Sequence, residues 1–309
     1  MIKRSFKALL VGSTFLLAAS WLSANALADT HGHDDALDYQ TTALTKNLTL
    51  LQGKGGNIIA QTGPDGLLLV DNDYADMSPK LLAALDQLNP NKDQGIRYIV
   101  NTHWHGDHSG GNLALGKQAP IIAHRMVRER LSQPQELKAF NMKSDAYPVM
   151  ALPSLVYDKQ MTLHVNNETV HLIHLANGHT DGDSVVFFAD SQVVHLGDHM
   201  FAGMFPFVDL DHGGNAKQLV KNLESLLPLL SADSKIVPGH GPLSTLDDLN
   251  TYIEMLKGCI NHVETALAKG DSVETIQANG LPETWSDYAN GFIKTQQWIG
   301  FIIQSLENS

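Results

Sequence analysis

One short segment decides how this chain folds and what it can bind: Asn101-Thr102-His103-Trp104-His105-Gly106-Asp107-His108-Ser109-Gly110-Gly111-Asn112. Three histidines and one aspartate occupy the six positions 103–108, directly after an apolar run at residues 96–101 that is typical of a buried strand. A strand end followed by a glycine-rich loop lets short side chains converge on one point. Because neutral imidazole nitrogens bind zinc, the segment predicts a metal site in preference to a polar surface turn.

The spacing within this segment indicates two cations. His103 and His105 are alternate residues, so both side chains can reach one ion. Asp107 and His108 lie beyond the turn that Gly106 permits, point elsewhere and could hold a second ion.

Apolar periodicity around this segment predicts alternating strands and helices in two similar halves. Runs of residues typical of strands occur at 48–51, 57–61, 67–71, 96–101 and 119–123, and again at 156–166, 169–175, 184–189, 192–196 and 235–237. Helical spacing or helix start signals occur at 78–88, 215–227 and 249–267. Because helices must cover the apolar faces of both sheets, we predict an α/β fold, a four-layer αβ/βα sandwich of two mixed β-sheets flanked by helices.

Composition places the chain among globular proteins with a large core and argues against nucleic acid as a partner. The 309 residues are 43% hydrophobic, and 21 Lys and Arg stand against 33 Asp and Glu, a net charge of −12. Such a charge repels a phosphate backbone. The single cysteine, Cys259, flanks an apolar helical stripe, which predicts a buried thiol.

The N-terminus has the pattern of a secretory signal. Lys3, Arg4 and Lys7 precede an apolar run at residues 8–22 and small residues that end at Ala28. The run is shorter than the ~20 residues that a spanning helix needs, which disfavours the alternative of an uncleaved anchor. We expect cleavage after Ala28 and an exported protein, periplasmic if the host has two membranes, without a stable membrane span after signal removal.

These patterns divide the chain into four parts. Residues 1–28 are the predicted signal, 29–46 a flexible N-terminal segment, 47–245 the sandwich domain, and 246–309 a C-terminal helical extension packed on the same domain. The sequence leaves the oligomeric state open.

The His-rich segment resembles the H-x-H-x-D-H signature of the metallo-β-lactamase superfamily. The resemblance also requires a histidine after a later strand, an acidic or soft residue at the end of another, and a last histidine near the final strand. This chain has Asn177-Gly178-His179-Thr180, Leu196-Gly197-Asp198-His199 and Val237-Pro238-Gly239-His240-Gly241, in that order.

The resemblance implies a ligand set and a chemistry. His103, His105 and His179 would bind the first metal, and Asp107, His108 and His240 the second. Asp198 would bridge the two, as in thioesterase-like and lactonase-like members, and is preferred to His199 because a carboxylate has two ligating oxygens. Two zinc ions sharing a water lower its pKa from 15.7 toward ~7, so hydroxide would attack an ester, thioester, lactone or β-lactam carbonyl.

Two alternatives remain open beside this exported zinc hydrolase. Histidine ligands suit iron as well as zinc, so iron-dependent oxidation of a sulfur compound is possible, with iron the less favoured metal. A non-catalytic periplasmic metal-binding protein is the other. Asp107 argues against the carrier, because it is placed to orient the attacking water and to pass its proton to the leaving group.

The residues that would contact a small-molecule substrate are less sharply indicated. The loop after Asp198 contains Phe205 and Phe207, which could wall an apolar pocket. Asn215 and Lys217 begin a predicted helix whose N-terminal amides could meet an anion, unless Asn215 is only a cap. Thr102, Ser109 and Thr180 are candidates for hydrogen bonds to the ligands. We interpret the remaining histidines as structural or solvated: His124, His164, His171, His174, His195, His212 and His262.

Overall fold

A seven-stranded mixed sheet forms the first half of the protein, which the computed structural model describes over residues 39–91 and 93–307. Its strands are β1 (Gln40–Ala43), β2 (Leu48–Gln52), β3 (Ile58–Gln61), β4 (Leu67–Val70), β5 (Ile96–Val100), β6 (Ile121–His124) and β9 (Leu155–Tyr157). They lie in the order β1-β2-β3-β4-β5-β6-β9. The meander from β1 to β4 is antiparallel, and β4, β5, β6 and β9 are parallel.

A five-stranded mixed sheet forms the second half. Its strands are β10 (Gln160–Val165), β11 (Glu168–His174), β12 (Ser184–Phe188), β13 (Val193–His195) and β14 (Lys235–Val237), in that order. Neighbours are antiparallel except β13 and β14, which are parallel. The parallel pair brings the ends of β13 and β14 to one edge of the sheet.

The helices lie outside the two sheets or in their connections. They are α1 (Ser78–Leu88), α2 (Gly106–Ser109), α3 (Asn112–Leu115), α4 (Arg125–Leu131), α5 (Ala216–Leu226), α6 (Leu246–Ala268), α7 (Val273–Asn279) and α8 (Thr295–Glu307). Helix α6 begins with a capping box in which Thr245 and Asp248 each bond the other's backbone N–H.

Apolar contacts define the order of the layers. Leu50 of the first sheet and Leu172 of the second belong to one fully buried cluster, so the sheets face each other. Leu85 of α1 packs in a cluster on the other face of the first sheet. Leu219 of α5 and Leu256 of α6 pack in the cluster that covers the second. The predicted four-layer αβ/βα sandwich is therefore confirmed.

One predicted strand is wrong. The run at 156–166 is not continuous, because the chain bends at Asp158 and Lys159 and passes from β9 in the first sheet to β10 in the second. Side chains on both sides of the bend suit a strand, so local preference does not reveal it.

Part of the segment 29–46, which we predict to be flexible, lies among the described residues and includes a strand. Residues 40–43 form β1, which pairs with β2 over the register Gln40↔Gln52 to Ala43↔Thr49, and Leu44 is 2% exposed. Backbone pairing explains the order, since the exposed polar side chains of β1 give no apolar signal. The predicted signal at 1–28 lies outside the described residues. Within those residues, no helix combines the length and apolar character needed to cross a bilayer.

The hairpin that follows α4 has no counterpart in the predicted elements, whereas helices α7 and α8 lie within the predicted C-terminal helical extension. Strands β7 (Gln135–Leu137) and β8 (Met142–Ser144) form a separate antiparallel hairpin. The extension contains α7 and α8, and Trp298 and Ile302 of α8 are fully buried in one cluster with Leu219. Cys259 lies in the same cluster, and burial raises the pKa of its thiol to about 12, so the predicted buried thiol is confirmed.

Candidate metal centre

Strand ends deliver the candidate ligands to one place. His103 and His105 follow β5, and Asp107 and His108 lie in α2, the helical turn that comes next. The other three come from the loop between β11 and β12 and from the ends of β13 and β14: His179, Asp198 and His240. We call these seven side chains the metal cluster.

The first half of the metal cluster is a compact group of buried side chains. Ligand atoms of His103, His105, His179 and Asp198 all lie within 4.8 Å of one another. His105 Nδ1 is 2.8 Å from His179 Nε2 and 3.1 Å from His103 Nε2. One cation could contact all four.

The second half is a neighbouring group nearer to solvent. Ligand atoms of Asp107, His108 and His240 also lie within 4.8 Å of one another. His240 Nε2 is 3.3 Å from His108 Nε2 and 3.2 Å from Asp107 Oδ2. These residues could hold a second cation.

The Asp198 carboxylate lies between the two groups. Its Oδ1 is 3.0 Å from His108 Nε2, and its Oδ2 is 3.4 Å from His179 Nε2 and 3.5 Å from His240 Nε2. The residue is 5% exposed, yet among the described residues Oδ1 has no hydrogen-bond partner. A buried carboxylate oxygen that accepts no hydrogen bond is costly, and a cation between Oδ1 and the nearby His108 nitrogen would satisfy it.

Hydrogen bonds on the outer side of the rings fix which nitrogens face inward. Three rings donate their outer N–H at 2.8–3.0 Å: His105 to Asp209, His108 to Asp71 and His179 to the Phe207 carbonyl. Each ring therefore turns its second nitrogen toward the centre of the cluster, where that nitrogen can bind a cation. The donor set therefore fits divalent metal ions.

The charges of the cluster also favour cations. Burial, with smaller contributions from neighbouring histidines, lowers the pKa of His179 to about 4, so its ring is neutral. Burial would also lower the pKa of His240, but the carboxylates of Asp198 and Asp107 outweigh it and raise this pKa to about 9. A metal ion would displace the proton that these carboxylates attract.

Two glycines leave the space that the cluster needs. A Cβ atom on Gly56 would overlap the His108 ring, and one on Gly239 would overlap Asp198 Oδ1. Any side chain at either position would displace a ligand.

A cavity of about 290 Å³ opens above the cluster. Asp107, Asp198, His105 and His240 contribute to its floor, and Phe207 lies in its wall. The remaining lining residues are Lys54, Gly55, Tyr74, Gly106, Leu137, Phe140, Met142 and Phe292. A small molecule in this cavity would contact both halves of the metal cluster.

Three of the four predicted substrate residues lie elsewhere. Phe205 is 1% exposed in the core and stacks near Trp298. The Asn215 side chain accepts hydrogen bonds from the backbone N–H groups of Lys217 and Gln218, so it is the ordinary helix cap. Lys217 pairs with Glu264 at 2.8 Å. Phe207 alone faces the cavity, because the loop 201–209 is not a regular strand and Phe205 and Phe207 need not point the same way.

Three supporting carboxylates were absent from the predicted site. Asp71 and Asp209 hold ligand rings, and Asp183 accepts hydrogen bonds at 2.7 Å from the backbone N–H groups of His179 and Thr180. Asp71 follows β4, so a strand ending in aspartate was an available signal. Asp209 follows no strand, and no local pattern marks it.

The three hydroxyl candidates have different roles. Thr102 Oγ1 donates to Asp71 and lies 3.1 Å from His103 Nδ1, so it supports a ligand directly. Thr180 donates to Asp183, and Ser109 donates to the backbone carbonyls of Trp104 and His105, which precede α2. Only Thr102 contacts a ring of the cluster.

Comparison with known proteins places this geometry in a family. The profile of the metallo-beta-lactamase superfamily matches residues 42–240. A beta-lactamase-like protein 2 homolog of Caenorhabditis elegans is 26% identical over 196 residues, 60% of this chain and 57% of that protein. A probable hydroxyacylglutathione hydrolase of Schizosaccharomyces pombe is 31% identical over 154 residues, 48% of this chain and 50% of that protein. An atrochrysone carboxyl ACP thioesterase of Emericella nidulans is 24% identical over 196 residues, 62% of this chain and 53% of that protein.

Solved structures show the same fold. A metallo-beta-lactamase from Pontibacter korlensis superposes with a TM-score of 0.57 at 17% identity, over 71% of this chain and 99% of that one. A double mutant of the sec-alkyl sulfatase PisA1 superposes with a TM-score of 0.65 at 14% identity, over 87% of this chain and 50% of that one. This chain spans little more than half the length of the curated relatives it matches. With its buried histidine and aspartate cluster at the strand ends, the chain belongs to the metallo-beta-lactamase superfamily.

Proposed function

We propose that this protein is an exported dinuclear zinc hydrolase that opens the carbonyl of an ester, thioester, lactone or β-lactam. One observation carries the proposal: two groups of ligands share the Asp198 carboxylate beneath an open cavity. Two zinc ions in such a site would polarise a carbonyl and supply a nucleophile from water at neutral pH. Because a probable hydroxyacylglutathione hydrolase and an ACP thioesterase are among the relatives, a thioester is the first substrate to test.

Asp107 is the residue placed to handle a proton. Its side chain is 20% exposed and lines the cavity, whereas the other carboxylate of the cluster, Asp198, is 4% exposed. Burial would raise the pKa of Asp107, but His108 and His240 outweigh burial and hold it at about 2. An ionised carboxylate at the floor of the cavity can accept a hydrogen bond from a water and so orient it for attack.

The surrounding carboxylates keep the cluster in place. Asp209 and Asp71 hold two rings, and the backbone N–H of Ser184 donates to the Thr102 carbonyl at 2.8 Å, which ties the second sheet to the loop after β5. Preorganised ligands lose little entropy when a cation or a substrate binds.

The deciding experiment combines metal analysis with a substrate panel. Purified protein is depleted of metal, loaded with zinc and quantified, then assayed with an acyl thioester, a lactone and a chromogenic β-lactam. We expect about two zinc ions per chain and turnover of at least one substrate. Analysis of the metal bound to the protein as purified from its native host, before any zinc is added, distinguishes a zinc enzyme from an iron enzyme.

Two results would contradict the proposal. Fewer than two equivalents of zinc in a folded protein would remove the dinuclear site. Full zinc occupancy without turnover of any of the three substrate classes would instead favour a metal-binding protein. Export is tested separately, by the N-terminal residue of the mature protein, expected at Asp29.

A further inference from the structure

Three phenylalanines form a continuous row along the rim of the cavity. The Phe140 ring centroid is 4.8 Å from that of Phe207 and 6.2 Å from that of Phe292. Rings at these separations contact each other, so the row is an unbroken apolar surface. We call Phe207, Phe140 and Phe292 the aromatic row.

The aromatic row spans both halves of the metal cluster. Phe207 at one end lies 5.7 Å from the ring of His105, a candidate ligand of the first metal. Phe292 at the other end lies 5.9 Å from the ring of His240, a candidate ligand of the second. The aromatic row therefore runs beside both groups of ligands, and a carbonyl held above the two groups would lie next to it.

Three separate segments build the row. Phe207 belongs to the loop after Asp198, Phe140 to the connection between β7 and β8, and Phe292 to the connection before α8. Phe292 lies outside residues 42–240, the part that matches the superfamily profile. One end of the row is thus supplied by the C-terminal extension, and is not part of the matched family domain.

The rim leaves apolar surface open to solvent, although the described residues otherwise bury most large apolar side chains. Phe292 is 45% exposed, and Met142 of β8, which also lines the cavity, is 51% exposed. Lys54 and Tyr74, which carry polar groups, also line the cavity. Exposed apolar surface that continues into a cavity is typical of a ligand-binding site.

We propose that the aromatic row, extended by Met142, is a subsite for an alkyl or aryl acyl substituent of the substrate. Phe140 contacts both Phe207 and Phe292, so a substituent cannot insert between the rings. It would lie along the surface of the row instead. The inference rests on the proposed hydrolase function for the position of the carbonyl. It predicts preference for acyl groups larger than acetyl.

A series of acyl thioesters with one common thiol tests the subsite. For the zinc-loaded protein we expect kcat/KM to rise from acetyl through butyryl to hexanoyl, by about two- to fourfold for each methylene that the row covers. Phe292→Ala should lower kcat/KM for the hexanoyl member about tenfold more than for the acetyl member. Phe292→Leu, which keeps apolar area, should retain most of the preference.

A matched control distinguishes the effect of shortening the aromatic row from the effect of losing any exposed apolar side chain. Leu229 is 52% exposed and does not line the cavity, so Leu229→Ala should leave the acyl-length dependence unchanged. Zinc content is measured for every variant and should equal that of the parent. An unchanged length dependence in Phe292→Ala would overturn the proposal.

Binding of carboxylates distinguishes failure of the subsite from failure of the proposed reaction. Calorimetry with hexanoate and acetate on the zinc-loaded protein should show tighter binding of hexanoate, and Phe292→Ala should remove most of the difference. If no thioester is hydrolysed but this difference is found, the hydrolase proposal fails and the subsite stands. If hexanoate and acetate bind equally to the parent, or the difference survives in Phe292→Ala, the subsite is wrong whatever the activity.

Discussion

The floor and the rim of the cavity are built on different physical principles. The floor is the metal cluster, with buried polar side chains that hold one another through hydrogen bonds such as that from His108 to Asp71 at 2.8 Å. The rim is the aromatic row with Met142, partly exposed and held by non-directional apolar contacts. A buried polar network tolerates little change, because each lost partner leaves an unsatisfied group. Apolar contacts lose free energy roughly in proportion to area.

This contrast suggests a division of labour. Under the proposed function, the floor would determine whether the reaction occurs, and the rim would determine which acyl substituent is accepted. Substitutions in the floor should therefore abolish zinc binding or turnover, whereas substitutions in the rim should change the acyl-chain preference by degrees. The following predictions test the contrast, beginning with the largest expected effect.

Removal of a ligand should have the greatest effect. His103→Ala and His240→Ala should each lower the zinc content and reduce turnover to near background, since the proposed reaction uses both ions. Metal analysis and the thioester assay measure the two effects. Phe292→Ala serves as the rim control and should keep its zinc. Unchanged zinc stoichiometry in either histidine variant would show that the ligand assignment is wrong.

Substitution of the proton-handling carboxylate should separate chemistry from metal binding. Asp107→Asn keeps an oxygen ligand of the same size but loses the charge, so we expect most of the zinc to remain and turnover to fall about a hundred- to ten-thousandfold. Parent-level activity in this variant would remove the role assigned to Asp107.

A supporting carboxylate should have an intermediate effect. Asp209→Asn weakens the acceptor for the His105 N–H, so zinc affinity should fall about ten- to a hundredfold, measured by competition with a chelator. Asp211, which pairs with Lys138 at the surface, provides the matched control. If Asp209→Asn and Asp211→Asn bind zinc equally well, the bond from His105 to Asp209 does not support the site.

A buried histidine next to Asp198 in the chain, His199, should also make the free energy of unfolding depend on pH. His199 accepts a hydrogen bond from the Asn222 amide, and burial lowers the pKa of its ring to about 3. Because this pKa lies below its unfolded value of about 6.5, the contribution of His199 is present above pH ~6.5 and is lost as pH falls toward 3. At pH 5 the loss is about 2 kcal/mol.

His199→Gln tests this dependence, since the glutamine oxygen can accept the same hydrogen bond. Urea unfolding of metal-depleted protein at pH 7.5 and pH 5 should show a smaller difference in unfolding free energy for the variant than for the parent. Equal differences would mean that His199 is not neutral in the folded protein.

The smallest effect should come from the outer rim. Met142→Ala removes a half-exposed side chain, so kcat/KM for the hexanoyl thioester should fall only about two- to threefold. Zinc content and the acetyl thioester should be unaffected. A loss as large as that of Asp107→Asn would show that the rim and the floor do not act separately.

Local pattern accounted for much of the fold and for the positions that form the floor. The strand and helix periodicities predicted both sheets and their covering helices. The spacing of residues 103–108 predicted four ligands, and the resemblance to the superfamily signature implied His179, Asp198 and His240. The structure brings these side chains together. These signals are readable because ligands at strand ends leave a short polar interruption in an apolar run.

The rim and the supporting residues depended on tertiary contacts. Nothing near Phe292 distinguishes it from a core residue, and the packing of the following helix α8 against α5 and α6 brings it beside His240. The neighbouring sequence likewise gives no signal for the bend at Asp158 or for the contact between Asp209 and His105.

By itself the sequence therefore determined the layered fold and the chemical type of the site, because both follow from periodicity and residue type over short distances. Only the tertiary structure decided which aromatic side chains face the cavity. That choice depends on contacts between segments far apart in the chain, and local preference does not encode it.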